Sequence, residues 1–116
     1  MSLNELAQQC HAANHKWWHD LYTGEPLQRN KGELIALMHS ELSEALEAVR
    51  KDSMDDKLPH RRGEEVEMVD CIIRILDYAA AYGLDLDGAL KEKMAFNAIR
   101  KDHLNEARRA ENGKKF

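Results

Sequence analysis

Residues 39–52 read HSELSEALEAVRKD and predict an amphipathic helix, because apolar side chains recur there at three- and four-residue spacing. Within this helix Glu41, Glu44 and Glu47 follow one another every three residues. Glu41 comes three residues after Met38, so it lies beside the apolar stripe of the helix and not opposite to it. An acidic side chain is therefore expected close to the side that the helix buries.

A second acidic row lies in residues 60–78, which read HRRGEEVEMVDCIIRILDY. Asp70 comes four residues after Val66 and three before Ile73, inside the predicted apolar stripe, and Glu67 lies at its edge. Burying a carboxylate is costly, so such acids must be paired, protonated or bound to a cation. The first row taken alone is typical of a solvated face, but two rows that both enter apolar stripes indicate a site.

The composition indicates one folded domain with a thin core, because the chain has 116 residues, of which 43% are hydrophobic and 33% charged. Its 17 basic and 21 acidic residues give a net charge of −4, which argues against non-specific binding of nucleic acid. Two distant cysteines, Cys10 and Cys71, favour a reduced, cytoplasmic setting. We expect neither a signal peptide nor a membrane span, since no apolar run is long enough.

Helix-forming residues dominate and alternating patterns are absent, which predicts an all-α fold. We predict helices over residues 3–21, 32–51 and 60–81, and a fourth that Asp85 or Asp87 caps and that ends near Asp102. Gly83 is expected to end the third helix. Short connections favour an antiparallel four-helix bundle. The helical domain would cover residues 1–103, with residues 104–116 as a polar, basic tail.

Packing the two acidic faces together would bring Glu41, Glu44, Glu67 and Asp70 to one point. Carboxylate oxygens are hard ligands that suit Mg²⁺ or Mn²⁺. The three-residue spacing lets both acids of one helix reach one ion or two adjacent ions. A di-iron bundle is a poorer interpretation, because it requires Glu-x-x-His motifs and no Glu of this chain has His three residues later.

The pair Glu41-x-x-Glu44, followed by Glu67-x-x-Asp70, resembles the metal motif of the MazG-like all-α nucleoside triphosphate pyrophosphohydrolases. The likeness extends over residues 31–103. It includes the segments HSELSEALEAVRK, EEVEMVDCIIRILDYAAAYGLDL and EKMAFNAIRKDH, which follow the family's order and spacing.

The resemblance implies that the chain is a Mg²⁺-dependent hydrolase, with Mn²⁺ as a possible substitute, that cleaves a nucleoside triphosphate to the monophosphate and pyrophosphate. It implies that Glu41, Glu44, Glu67 and Asp70 hold the metal and that Glu41 and Glu44 are catalytic, with Glu44 a candidate acceptor of the proton from water. It also implies a homodimer or homotetramer and a house-cleaning role in the nucleotide pool. Ser40 departs from the family pattern, where many members carry Glu, and this leaves the metal count and the general base open.

The predicted fourth helix carries Lys93, Asn97 and Arg100 at spacing i, i+4, i+7, which places them on one stripe. By the resemblance, these side chains contact the substrate. Arg can bind phosphate oxygens through two hydrogen bonds, and Lys supplies a point charge. Alternatively, Lys93 and Arg100 form salt bridges with the acid rows.

The segment NHKWWHD, residues 14–20, carries adjacent tryptophans that point about 100° apart on a helix. One of Trp17 and Trp18 would anchor the helix while the other faces a pocket and stacks on a base, with Lys16 reaching phosphate. The alternative, that both are core or subunit-interface anchors, is equally compatible with the sequence. His11, His15 and His19 recur every four residues and are interpreted as surface histidines.

Arg74 lies between Asp70 and Asp77 in sequence and is predicted to be their structural partner. The rival function is a non-catalytic helical module that binds a nucleotide or another protein, with the acids in structural salt bridges. Nucleic-acid binding is not expected, since only the basic tail around Arg108 and Lys114 supports it.

Overall fold

The computed structural model describes residues 1–100 and 105–115, apart from the side chain of residue 107, and this part of the chain is all-helical, as predicted. The helices are α1 (Leu3–Ala13), α2 (Lys31–Lys51), α3 (Gly63–Ala81), α4 (Leu86–Ile99) and α5 (Asn105–Arg109), with a 3₁₀ turn at His15–Trp17. The chain forms two compact units, Met1–Leu84 and Asp85–Phe116, which are described separately. The predicted boundary between domain and tail at residues 103 and 104 lies outside the described residues.

Helix α1 is shorter than the predicted span of residues 3–21, because it ends at Ala13. The backbone N–H of Asn14 bonds to the carbonyls of Cys10 and His11, and Asn is a poor residue for a helix interior. Asp20 then makes a tight turn by accepting from the N–H groups of Tyr22 and Thr23. The prediction of one helix through both tryptophans was therefore wrong, and the His11–His15–His19 row is not a continuous helical stripe.

The core of the first unit lies where α3 packs against α1 and α2. It is thin and contains mostly small side chains, together with one indole and two leucines: Ala7, Trp18, Leu34, Ala45, Cys71, Leu76 and Ala79. Cys71 is thus a core residue. Glu41 occupies a core position on α2, because the buried residues of this helix are Leu34, Glu41 and Ala45.

The connection from α2 to α3 is held close to both helices. Helix α2 ends at Asp52, which adopts the left-handed conformation with φ 49°. The N–H of Gly63 donates to the carbonyl of Ser53 at 2.9 Å. A Cβ atom at Gly63 would lie 2.8 Å from the Cβ of Ala48, so only glycine permits this close approach. The loop therefore folds back onto the end of α2.

Helix α3 ends where the sequence predicted, because Gly83 follows the cap Tyr82 with φ 64°. In the second unit Asp85 caps α4 by accepting from the N–H of Gly88, also as predicted. Helix α4 ends at Ile99, and Arg100 is extended, with ψ 130°. The predicted helical stripe through Lys93, Asn97 and Arg100 is therefore broken, since Arg100 lies beyond the last turn.

A wide apolar surface remains uncovered in the first unit. Helix α2 exposes one stripe and α3 exposes another: Ile35, Leu42, Leu46 and Val49, and Met68, Val69, Ile72 and Ile75. These side chains recur at the spacing of an amphipathic helix, but one chain does not bury them. Among the described residues, no helix combines the length and the apolar character that crossing a membrane requires.

Candidate metal and nucleotide site

Three carboxylates from two helices converge in the first unit. Oxygen atoms of Glu41, Glu67 and Asp70 all lie within 4.8 Å of one another, with Glu41 buried and the other two half-buried. Helix α2 supplies the first and α3 the other two, so the packing of these helices assembles the cluster. The structure thus brings together three of the four acids that the sequence predicted.

The fourth predicted ligand, Glu44, lies beside the cluster and not inside it. Its side chain is exposed, yet it is close enough to hydrogen-bond to Glu67 and to raise the pKa of that carboxyl. Both residues line an acidic groove of about 440 Å³ along the α2–α3 connection. Glu44 is therefore the member of the set that water reaches most easily.

The cluster strongly disfavours full ionisation. Burial, followed by hydrogen bonds to Glu41 and Glu44 and by their negative charge, raises the pKa of Glu67 to about 8. Burial also raises the pKa of Asp70, to which the charges of Glu41, Asp55 and Glu44 add while Arg74 opposes them. At Asp70, burial and the neighbouring negative charges therefore outweigh the positive charge of Arg74.

Asp55 is a member of this acidic environment that sequence reasoning missed. It lies in the α2–α3 connection, where its Oδ2 accepts from the N–H groups of Lys57 and Leu58 at 3.0 and 2.8 Å. Its charge contributes to the raised pKa of Asp70. The sequence does show an Asp at the start of a short turn, but the direction in which its side chain points depends on how the loop folds back.

Arg74 pairs differently from the prediction. Its Nε–H donates to Oε1 of Glu41 at 3.0 Å, and no salt bridge to Asp77 occurs among the described residues. The guanidinium also lies over the ring of Trp17, 5.2 Å from the centroid. Arg74 therefore connects the acidic cluster to the aromatic segment, and Asp77 has other partners.

Those partners are His11 and Trp18. Asp77 is buried, and its Oδ1 lies 2.8 Å from Nδ1 of His11. Trp18 is also buried and donates its indole N–H to both oxygens of Asp77. Trp18 is thus an anchor, whereas Trp17 is half-buried. The anchoring role that the sequence predicted for one of the tryptophans belongs to Trp18, and stacking of Trp17 on a base stays a prediction.

Two cavities of about 230 Å³ each share Trp17 and Arg74 in their walls. One also contains Glu41 and Asp70 in its wall. The other, called here the tryptophan pocket, is lined by two aliphatic, three aromatic and three charged side chains: Leu34, Leu37, Trp17, Trp18, Tyr78, Arg29, Arg74 and Asp77. A surface suited to stacking therefore lies next to a surface suited to a cation.

The remaining predicted substrate contacts are Lys16 in the first unit and Lys93, Asn97 and Arg100 in the second, and each is described within its own unit. Lys16 is exposed. In the second unit, Lys93 lies over the ring of Phe96 at 5.1 Å, and Arg100 lies over the same ring at 5.8 Å. Oδ1 of Asn97 is shielded from water and has no hydrogen-bond partner among the described residues. The contact of these four residues with substrate stays a prediction.

Ser40, which stands where the resemblance expects Glu, is not turned toward the acids. Its hydroxyl donates to the carbonyl of Leu37 in its own helix at 2.6 Å, and the residue is exposed. Ser40 therefore supplies no replacement ligand in this arrangement.

The clustered residues fit a divalent cation of the hard type. Their donor atoms are carboxylate oxygens only, which is the set that Mg²⁺ and Mn²⁺ prefer. Oε2 of Glu67 is shielded from water and lacks a hydrogen-bond partner among the described residues, so a ligating role would satisfy it. A cation would also offset the burial and the repulsion between carboxylates that raise the pKa values of Glu67 and Asp70.

Comparisons of the chain with protein-family models, with curated proteins and with solved structures found no match.

Proposed function

We propose that the chain is a Mg²⁺-dependent nucleotide pyrophosphohydrolase that converts a nucleoside triphosphate to its monophosphate and pyrophosphate. The observation that carries the proposal is the convergence of Glu41, Glu67 and Asp70 beside a cavity whose wall includes Trp17 and Arg74. An acidic cluster alone could be structural, but one that adjoins an aromatic pocket has the two halves that a metal–nucleotide complex requires. The likeness to MazG-like enzymes remains a prediction from the sequence and is consistent with this proposal.

In this proposal Glu41, Glu67 and Asp70 hold the cation, with Glu44 as a further ligand. A bound Mg²⁺ or Mn²⁺ would neutralise charge on the phosphates and lower the pKa of a water molecule. Glu44 is the carboxylate best placed to accept a proton, because it is exposed and adjoins Glu67. Arg74 holds Glu41 in place through its Nε–H and offers its remaining N–H groups to phosphate.

Trp17 and Trp18 would receive the base, as their shared pocket suggests. Lys16, Lys93, Asn97 and Arg100 would contact the triphosphate or the sugar. These assignments come from the sequence. Of the four, Asn97 has a shielded oxygen without a partner among the described residues, which a substrate hydroxyl could satisfy by donating to it.

The test is pyrophosphate release from a panel of ribo- and deoxyribonucleoside triphosphates with Mg²⁺ or Mn²⁺. Glu41→Gln and Asp70→Asn should abolish the activity, since each removes a charged ligand while keeping nearly the same shape. Glu33→Gln is the matched control, because Glu33 is an exposed acid on the same helix α2 and lies outside the cluster. Absence of metal-dependent release from folded protein, or full activity in both cluster variants, would overturn the proposal.

A second candidate is a non-catalytic helical module that binds a nucleotide or another protein. The ion pair of Arg74 with Glu41 favours it, because this pair already compensates one of the predicted ligands. The melting temperature with and without Mg²⁺ discriminates between the two, since a ligand that binds only the folded state raises it. If the acids have only a structural role, Mg²⁺ should not raise the melting temperature of the wild-type protein. Asp70→Asn should then respond to Mg²⁺ in the same way as the wild type.

We further propose that two copies of the chain associate through the exposed apolar stripes of α2 and α3, giving a homodimer or a homotetramer. The core of one chain is thin, and these stripes leave large aliphatic side chains in water. A second copy is the occupant favoured here, because association would enlarge the core. The proposed setting is the cytoplasm, and no nucleic-acid partner is proposed.

A further inference from the structure

Arg29 contributes to two cavities on either side of Trp18 and is the least expected charged residue of the tryptophan pocket. It is half-buried, and its Nη1–H donates to the backbone carbonyl of Trp17 at 2.8 Å. Its guanidinium carbon lies 5.7 Å from the centroid of the Trp18 ring. The backbone of one tryptophan and the ring of the other therefore fix the position of this side chain.

The Arg29 guanidinium keeps unused hydrogen-bonding capacity. Among residues 1–100 and 105–115 no carboxylate pairs with it, and the Trp17 carbonyl is its one described hydrogen-bond acceptor. A guanidinium only donates, and its Nε–H and Nη2–H form a parallel pair that matches two neighbouring acceptors. The bond from Nη1 leaves this pair available.

The carboxylate that lines the pocket is already engaged. Both oxygens of Asp77 accept from the Trp18 indole, and Oδ1 also lies 2.8 Å from His11 Nδ1. The second guanidinium, from Arg74, adds further donors. The pocket thus combines aromatic walls with an excess of donors, and its volume of about 230 Å³ is below the roughly 300–1,000 Å³ typical of drug-sized ligands. A single planar ring system with acceptors on its edge suits this space.

We infer that Arg29 selects the base of the nucleotide and favours guanine and cytosine over adenine and uracil. Guanine presents O6 beside N7, and cytosine presents N3 beside O2, so each offers two adjacent acceptors to the free Nε–H and Nη2–H pair. Adenine and uracil place an N–H donor next to each acceptor on the corresponding edges, so one arm of the guanidinium would face a donor. The inference rests on the proposed function in one respect, which is that the tryptophan pocket receives the base.

The test uses the intrinsic fluorescence of the full chain, because its 2 tryptophans are Trp17 and Trp18 and both line the pocket. GMP, CMP, AMP and UMP are titrated without metal, so the readout is independent of catalysis. We expect GMP and CMP to bind about tenfold or more tightly than AMP and UMP, which is the order that a two-bond contact from Arg to a base supplies. Fluorescence changes are corrected for absorption by the nucleotides.

Two variants and one control make the result specific. Arg29→Met removes the donors and Arg29→Lys keeps the charge and one donor for the Trp17 carbonyl, and both should bring the four affinities close together. Arg50→Met removes an exposed guanidinium of α2 that lines none of the described pockets and should keep the wild-type preference. Melting temperatures establish that each variant is folded.

Equal affinities in the wild-type chain, or a preference that survives in Arg29→Lys, would overturn the inference. So would the absence of any fluorescence change with all four monophosphates at millimolar concentration. Pyrophosphate release measured in parallel separates these failures from a failure of the proposed enzyme. If pyrophosphate release depends on metal but the base preference does not depend on Arg29, the proposed enzyme is supported and only the role of Arg29 in base selection is excluded.

Discussion

Trp18 donates its indole N–H to both carboxylate oxygens of Asp77, at 3.1 and 2.9 Å, although 59 residues separate the two in sequence. Asp77 is 3% exposed and Trp18 is 9% exposed, so water competes little for this contact. His11 approaches the same carboxylate at 2.8 Å. One buried carboxylate therefore joins α1, the turn after it and α3.

Replacing Asp77 with Ala should lower the free energy of unfolding by about 2 kcal/mol or more, because it leaves the buried indole N–H of Trp18 and the half-buried imidazole of His11 without their partner. The free energy of unfolding of each variant is measured by urea denaturation. Trp18→Phe removes one donor, and the double variant should lose less than the sum of the two single variants because they share one interaction. Strict additivity would show that the contact contributes no coupling.

The metal-free protein should lose stability as pH rises from about 5 to about 8. Glu67 has its pKa raised from 4.5 to about 8. Between these values the folded state keeps a proton that the unfolded state has released, so unfolding becomes easier with increasing pH. Below the ordinary value both states are protonated, and above about 8 both are ionised and the loss is complete. Asp70 acts in the same direction, since its pKa is also raised.

The measurement for this prediction is the melting temperature in the presence of a chelator across that pH range. Glu67→Gln should show a smaller decline than the wild type and be the more stable protein at the alkaline end. Glu33→Gln should follow the wild-type profile. A wild-type curve parallel to that of Glu67→Gln would contradict the assignment to Glu67.

Gly63→Ala should destabilise the protein by about 1–3 kcal/mol, which is typical of overpacking. The new methyl group would lie 2.8 Å from Cβ of Ala48 and 3.1 Å from the carbonyl oxygen of Ser53. Combining it with Ala48→Gly frees part of the space, so the double variant should lose less stability than the sum of the two. A Gly63→Ala protein as stable as the wild type in urea would show that the loop can yield at this point.

Leu46→Glu should convert the proposed oligomer to a monomer, because it puts a charge into the exposed apolar stripe of α2, where Leu46 is 56% exposed. Light scattering coupled to size-exclusion chromatography gives the molar mass directly. Ser43→Glu is the matched control, since it adds the same charge at an exposed position of α2 that is already polar. A monomeric wild-type protein, or an oligomer that Leu46→Glu leaves intact, would exclude this interface.

The acid cluster could be predicted from the sequence because residues three or four apart share one face of a helix. Helices α2 and α3 also begin and end close to their predicted bounds. The position of Glu41 among buried residues follows from its phase relative to Leu34. The partner of Arg74 could not be predicted in this way. Sequence proximity to Asp70 and Asp77 suggested those two, whereas Glu41 lies on another helix and depends on the packing of α2 against α3.

The segment around the tryptophans was harder to predict for a local reason. A 3.6-residue repeat of apolar residues continues through residues 14–21, but Asn14 ends the helix and Asp20 turns the chain. At Asp20 the side-chain carboxylate accepts from backbone N–H groups and turns the chain, which periodicity does not report. Arg29 and Asp55 were missed because both act from connections whose course the sequence pattern does not fix.

Helix α3 places two carboxylates of opposite character seven residues apart. Asp70 belongs to an acidic cluster in which burial and neighbouring negative charges raise its pKa, whereas Asp77 is engaged by an indole and an imidazole. Each added or removed residue turns a helix by about 100°. The exposed side chains between the two, such as Ile72 and Ile75, belong to the proposed contact between copies of the chain. Insertion or deletion of one residue there would turn Asp77, and with it the tryptophan pocket, by about 100° around the helix relative to the acidic cluster. The number of residues between Asp70 and Asp77 is therefore constrained.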